Sequence, residues 1–186
     1  MDFLDALFGG TRPPPSKEDR IFAMSTALVA LQAAGLEPDG RVGLLFRRLP
    51  AARFAQLESD VKQLLELQAE GEFTVETVSD ELGFDWLVLV GEDFQTALAA
   101  QHTVASQFQE EGVADLLLAC LFRFLQAGRP VYFVYAYKRS AFYPFVPAGD
   151  HRRDNETELR LAAIAKPELP IDPDVEAWYP VWGAPV

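Results

Sequence analysis

Apolar positions along this chain change period repeatedly, from the three-and-four spacing of a helix to the alternation of a strand and back. Ile21, Met24, Leu28 and Leu31 fall on one side of a helix, with Ser16 and Asp19 offering a cap before it and Gly35 a stop after it. Val42 to Leu49 reads as a strand that stops at Pro50. That proline suits the first turn of a second helix, striped by Phe54, Leu57, Val61, Leu64 and Leu65 and ended by Gly71. Phe73, Val75 and Thr77 alternate with polar neighbours, as on a half-buried strand, and Asp80-Glu81-Leu82-Gly83 makes a turn. From Phe84 to Val90 the alternation is clearest. Trp86, Val88 and Val90 point one way and Leu87 and Leu89 the other, so both faces of this strand are expected to be covered.

Asp93 caps a third helix, with Phe94, Ala97, Leu98, Val104 and Phe108 on one face and Gly112 as its stop. A strand from Leu116 to Phe124, a Gln126-Ala127-Gly128-Arg129 turn and a strand from Val131 to Lys138 form a hairpin. Asn155-x-x-Glu158 resembles a capping box opening a short helix that ends at Pro167. The order strand, helix, strand, strand, helix, strand is the split βαβ pattern of ferredoxin-like α+β sandwiches. The expected fold is therefore a five-stranded, mainly antiparallel sheet with an extra N-terminal helix and a C-terminal helix plus aromatic tail. A chaperone-like α+β arrangement of the same elements is the alternative.

Residues 1–15 stand apart from this pattern. Phe3, Leu4, Leu7 and Phe8 have near-helical spacing, and Gly9-Gly10 and Pro13 to Pro15 then break any helix. The domain reading is an amphipathic arm and Gly/Pro linker over 1–15, followed by a single α+β domain over 16–186. The arm either folds back on the body or docks on a partner, and Asp2 and Asp5 argue against anionic lipid.

At 186 residues and 49% apolar composition the chain can bury a substantial core in one unit. Its net charge of −12 repels nucleic-acid phosphates, which argues against nucleic acid as a partner. No apolar run approaches the roughly 20 residues of a membrane span, and the start carries no basic and apolar export signal. The expected location is the cytoplasm, at most peripheral to the inner face of the cell membrane. Cys120 is the single cysteine, which rules out an internal disulfide and a cysteine-based zinc site.

Catalytic chemistry has little to build on. His102 and His151 are the only imidazoles, the spacing of His and Cys matches no zinc site, and neither a phosphate loop nor a dinucleotide fingerprint occurs. The expectation is a protein that is not an enzyme and uses no cofactor and no metal. What does stand out is a basic and aromatic stretch that includes Tyr137, Lys138, Arg139 and Tyr143, followed by His151, Arg152, Arg153 and Asn155. These residues form the candidate binding site. Guanidinium forks beside a helix start favour a carboxylate or phosphate, although the same arginines can pair with the protein's own acids. The tail carrying Trp178, Tyr179 and Trp182 is too apolar to stand in water and is expected to dock on the body.

The run Tyr137-Lys138-Arg139-x-x-Phe142-Tyr143-Pro144-Phe145-x-Pro147, then Arg152-Arg153-Asp154-Asn155-x-x-Glu158-Leu159, Pro170-Ile171-x-Pro173-Asp174 and Trp178 to Pro185 resembles the C-terminal third of the PspA-associated protein B family. Met1 to Gly9 and Leu31 to Gly35 are similar too. The resemblance implies an adaptor or regulator in a PspA-type envelope-stress system, working by contact with a protein partner. That partner is PspA-like or belongs to a membrane metalloprotease system; a homodimer is a further possibility. The resemblance supplies no catalytic residues, and the HExxH motif of a fused protease is absent. The alternative function is a small-anion binder, or an enzyme of unfamiliar type, using the Lys138 to Arg153 region.

Overall fold

The computed structural model of the protein describes residues 17–68, 73–80 and 83–186. The N-terminal arm and linker, the Ser16 cap, the Gly71 stop and the middle of the Asp80 to Gly83 turn lie outside the described residues. The helices are α1 (Lys17–Ala33), α2 (Ala51–Gln68), α3 (Phe94–Glu110) and α4 (Asn155–Ala165). The strands are β1 (Glu37–Arg47), β2 (Phe73–Ser79), β3 (Phe84–Gly91), β4 (Leu117–Gln126), β5 (Arg129–Ala136) and β6 (Ala141–Phe145). They form one antiparallel sheet in the order β2-β3-β1-β4-β5-β6. Among the described residues the expected five strands are thus corrected to six. The sixth, β6, lies within the basic and aromatic run, where Pro144 argues against a central strand; at the sheet edge a proline is tolerated because no neighbour needs its missing N–H.

Local signals set the helix ends. Asp93 accepts a hydrogen bond from the Thr96 N–H at 2.7 Å and so satisfies one free donor at the start of α3. Both α1 and α3 stop at a glycine with positive φ, +82° at Gly35 and +67° at Gly112. In each, the next residue turns its N–H back onto the helix: Leu36 to the Leu31 carbonyl and Val113 to the Phe108 carbonyl. Both of those pairs are buried, which adds an apolar contact to the hydrogen-bonded stop. At α4 the sequence reading is off by one residue. Asp154 is the cap, accepting from the Thr157 N–H at 3.0 Å, and Glu158 turns away from a capping box to bind Val146 and Arg153.

Both sheet faces are buried, as the alternation in β3 requires. Leu87 and Leu89 join the face under the helices, with Phe46, Phe122, Phe133 and Tyr135, while Trp86 and Val88 lie on the other face with Leu121, Val134 and Phe145. Among the described residues, the second face is covered by the segment from Ile171 to Val186 and by no helix across its centre. Gly43 leaves a notch there for the end of that segment. A Cβ at Gly43 would lie 2.4 Å from the Val186 Cγ2. Among the described residues, no helix is long and apolar enough to cross a membrane.

The outer margin of β6 is closed. Phe142 donates its N–H to the Pro170 carbonyl and accepts from Asp172, both at 2.8 Å. Pro144 has no N–H to offer, and Val146 just beyond the strand donates to Glu158 at 2.8 Å and accepts from Asp154 at 2.9 Å. At the opposite margin β2 pairs with β3 and, among the described residues, with no other strand.

Candidate functional site

The tail reaches the sheet through matched polar and aromatic contacts. Trp178 stacks on Tyr143 with ring centres 6.2 Å apart and donates its indole N–H to the Asp172 carbonyl at 3.1 Å. Trp182 meets Phe145 edge-on at 4.9 Å. Tyr143 donates its hydroxyl to the Tyr179 carbonyl at 3.0 Å, and Tyr132 donates to the Val186 carbonyl at 3.3 Å. Burial pushes the phenols of Tyr143 and Tyr132 above the ordinary tyrosine range, so both remain donors at neutral pH.

Two of the arginines singled out in the sequence hold this tail down. Arg139 grips the Asp172 carboxylate with two nitrogens, one at 2.8 Å, and reaches Asp174 at 3.3 Å. The hydrogen bonds from Arg139 hold the Asp172 carboxyl below its ordinary value of 3.8, despite the opposing effect of burial. Arg153 binds Glu158 at 3.0 Å, donates to the Trp178 carbonyl, and lies over the Phe145 ring at 5.4 Å.

The remaining sequence candidates are dispersed. Tyr137 is buried under the helix side, its hydroxyl accepting from Gln101 at 3.2 Å. His151 is exposed, with its ring 5.3 Å from Trp182. Arg152 is exposed and 3.7 Å from Asp150, and Asn155 is the exposed first residue of α4. Phe3, Leu4, Leu7 and Phe8 lie outside the described residues. Cys120 is fully buried under the helices, where burial pushes its thiol well above the usual range. Among the described residues no group of three His, Cys, Asp or Glu could hold a metal.

Lys138 differs from the two anchoring arginines. It is exposed, and no carboxylate pairs with it among the described residues. It stands at the mouth of a groove of about 430 Å³ between the tail and the end of the sheet, floored by Leu45, Phe84, Trp86, Leu118 and Ala119, walled by Tyr179 to Trp182 and bordered by Asp80. A second hollow of about 360 Å³ adjoins it around Arg47, Tyr137 and Lys138. Leu118 lines both hollows, and the register shows why. Leu45 pairs with Ala119 while Phe46 pairs with Leu117, so Leu118 is the extra residue of a bulge in β4, re-aimed out of the regular alternation. Sequence reasoning missed this floor, because it assembles residues from β1, β3 and β4 and turns on a register shift.

A family model described as PspA associated protein B matches residues 1–186, the whole chain. The chain belongs to the PspA associated protein B family. No curated protein and no solved structure matches it. In this member of the PspA associated protein B family the aromatic tail motif is therefore a structural strap, held by Arg139 and Arg153.

The strap should be acid-sensitive. Asp172 titrates lower folded than unfolded, so its contribution is complete above the unfolded value of 3.8 and is lost as pH falls through the folded value. The stability gap between wild type and Asp172→Asn, measured by urea unfolding, is expected to shrink as pH falls from 5 to below 3.8. A gap that stays constant across that window would show that the Arg139 pair does not hold the tail.

Proposed function

We propose that this protein is a non-catalytic adaptor of a PspA-type envelope-stress system and recognises its partner through the groove beside the tail. The supporting observation is the groove itself: an apolar floor with Lys138, which has no carboxylate partner among the described residues, at its mouth, in a chain of net charge −12. Such a surface suits an amphipathic protein segment that carries acidic residues, whose apolar side would fill the floor and whose acids would meet Lys138. The match over the whole chain to a family named for PspA supports PspA as that partner. On this reading the protein works at the inner face of the cell membrane, beside PspA.

The strand order β2-β3-β1-β4, with α2 and α3 in the two crossover connections, supports a ferredoxin-like reading of the first four strands, extended by β5 and β6. In that reading the tail replaces a second layer on the open face. The groove is then the part of the face that the tail leaves uncovered.

Binding of purified PspA to Lys138→Glu and Leu118→Asp is expected to weaken at least about tenfold, or roughly 1.4 kcal/mol, while Lys62→Glu on the far helix stays as wild type. Unchanged binding by both groove variants would remove the groove from the recognition surface. A thermal-shift screen with inorganic phosphate and simple carboxylates tests the anion-binding alternative, for which Lys138, His151 and Arg152 are the exposed groups. Saturable stabilisation lost in Lys138→Ala would favour that alternative over the adaptor.

A further inference from the structure

We infer that His151 is a pH-dependent brace on the groove's tail wall, holding Trp182 in place when the imidazole is charged and so tightening the grip on the partner. The bracing rests on the geometry of the loop and the tail, and its effect on the partner rests on the adaptor reading. Three consecutive residues, Gly149, Asp150 and His151, take positive φ values of +78°, +46° and +53°. Few side chains accept that backbone, and such residues gather where a side chain must be aimed. Two hydrogen bonds of 2.8 Å close the loop: the Ala148 N–H donates to the Arg152 carbonyl and the Arg152 N–H to the Gly149 carbonyl. So held, the loop sets the His151 ring 5.3 Å from that of Trp182, at an interplanar angle of 67°.

Trp182 is half-buried and ends the wall of the groove. It meets Phe145 edge-on at 4.9 Å on the sheet and His151 on the loop. Phe145 has no charge to change. An imidazole does, gaining a proton between about pH 8 and 5. The His151 side chain is exposed, and a turn about its own bond brings an N–H edge onto the indole face. A cation within about 6 Å of a tryptophan ring centre is attracted by the ring, at an exposed site by roughly a two- to fivefold change in an equilibrium. The protonated form is the attracted one, so the brace is strongest at about pH 5.5 and weakest at about pH 8.

The charges around His151 largely offset one another. On its own loop Asp150 pairs with Arg152 at 3.7 Å, and Arg153 is bound to Glu158 of α4 at 3.0 Å. Asp154 accepts from Thr157 and feels the attraction of Arg129 on β5 and Arg160 on α4, where Glu156 stands exposed in the first turn. From Trp178 to Pro185 the tail carries no charged side chain, and β6 carries none. The Trp182 ring is then the neighbour that distinguishes the two states of the imidazole.

The indole N–H signal of Trp182, assigned through Trp182→Phe in a proton–nitrogen spectrum, is expected to titrate between about pH 8 and 5.5 in the wild type and to stay flat in His151→Asn. Asparagine accepts positive φ and carries no charge, so the loop keeps its shape. Purified PspA is expected to bind roughly two- to fivefold more tightly at the lower pH than at the higher, over and above the change seen with His151→Asn, which subtracts the partner's own titration. His151→Arg, charged throughout, is expected to bind PspA at the higher pH roughly two- to fivefold more tightly than the wild type. A Trp182 signal that does not move, or that moves equally in His151→Asn, overturns the inference. So does a titrating signal with a pH dependence of PspA binding that His151→Asn shares in full. No PspA binding at either pH, with the Trp182 titration intact, overturns the adaptor reading and keeps the brace.

Discussion

Replacing Phe46 by alanine is expected to lower the unfolding free energy by about 4 kcal/mol, the value for deleting a fully buried phenylalanine. Phe46 is 0% exposed on the central strand β1, and its ring meets Phe108 of α3 edge-on at 5.0 Å and Phe54 of α2 at 5.9 Å. It therefore fastens two helices to the middle of the sheet, where neighbouring strands on both sides leave little room for collapse into the cavity. Domains of ordinary stability have only about 5–15 kcal/mol in hand, and at this size each kcal/mol moves Tm by about 2–4 °C. A fall of roughly 8–16 °C follows, and Phe46→Leu should recover most of it. Urea unfolding with an unchanged m-value is the measurement. A loss below about 1.5 kcal/mol would mean that this junction is not packed as described.

Replacing Arg153 by alanine is expected to cost about 3 kcal/mol, although the residue lies in a loop and looks in the sequence like a surface cation. Its side chain is 19% exposed and that of Glu158 is 3%, so removing the guanidinium leaves a carboxylate buried without its countercharge. The same change frees the Trp178 carbonyl and bares the Phe145 ring. Glu158→Gln in the Arg153→Ala background is expected to restore about 1–2 kcal/mol, because the amide still accepts from the Val146 N–H and carries no buried charge. Combined as a double-mutant cycle, the substitutions separate the pair's coupling from the packing loss. Additivity of the two changes would show that they do not act on each other.

Much of the fold could be read directly because its signals are local. The Asp93 cap, the Gly35 and Gly112 stops and the two-sided alternation around Trp86 each depend on a few neighbouring residues. Where the reading fell short, the deciding contact is remote. β1 begins at Glu37, five residues before the expected start, because Pro38-Asp39-Gly40 looks like a turn while Glu37 and Pro38 pair with Leu125 and Phe124 of β4 ahead of a register shift. β6 was hidden by Pro144 and by a tight turn in which Ser140 takes a φ of +51°.

The site divides in the same way. Its residue types were visible in Lys138, Arg139, Tyr143 and Arg153, but their roles depend on partners far along the chain: Asp172 and Asp174 for Arg139, and the Trp178 carbonyl for Arg153. Charge type alone cannot separate an anchoring arginine from an exposed lysine. Leu118 was illegible for a stricter reason, since a bulge is a property of two strands and not of either one.

The closed outer margin of β6 also limits how copies of this molecule could stack. With this flank of the sheet sealed by its own chain, edge-to-edge pairing through β6 is closed to a second molecule. A continuous ribbon of sheets needs both flanks of every copy, so the sealed β6 margin alone blocks it.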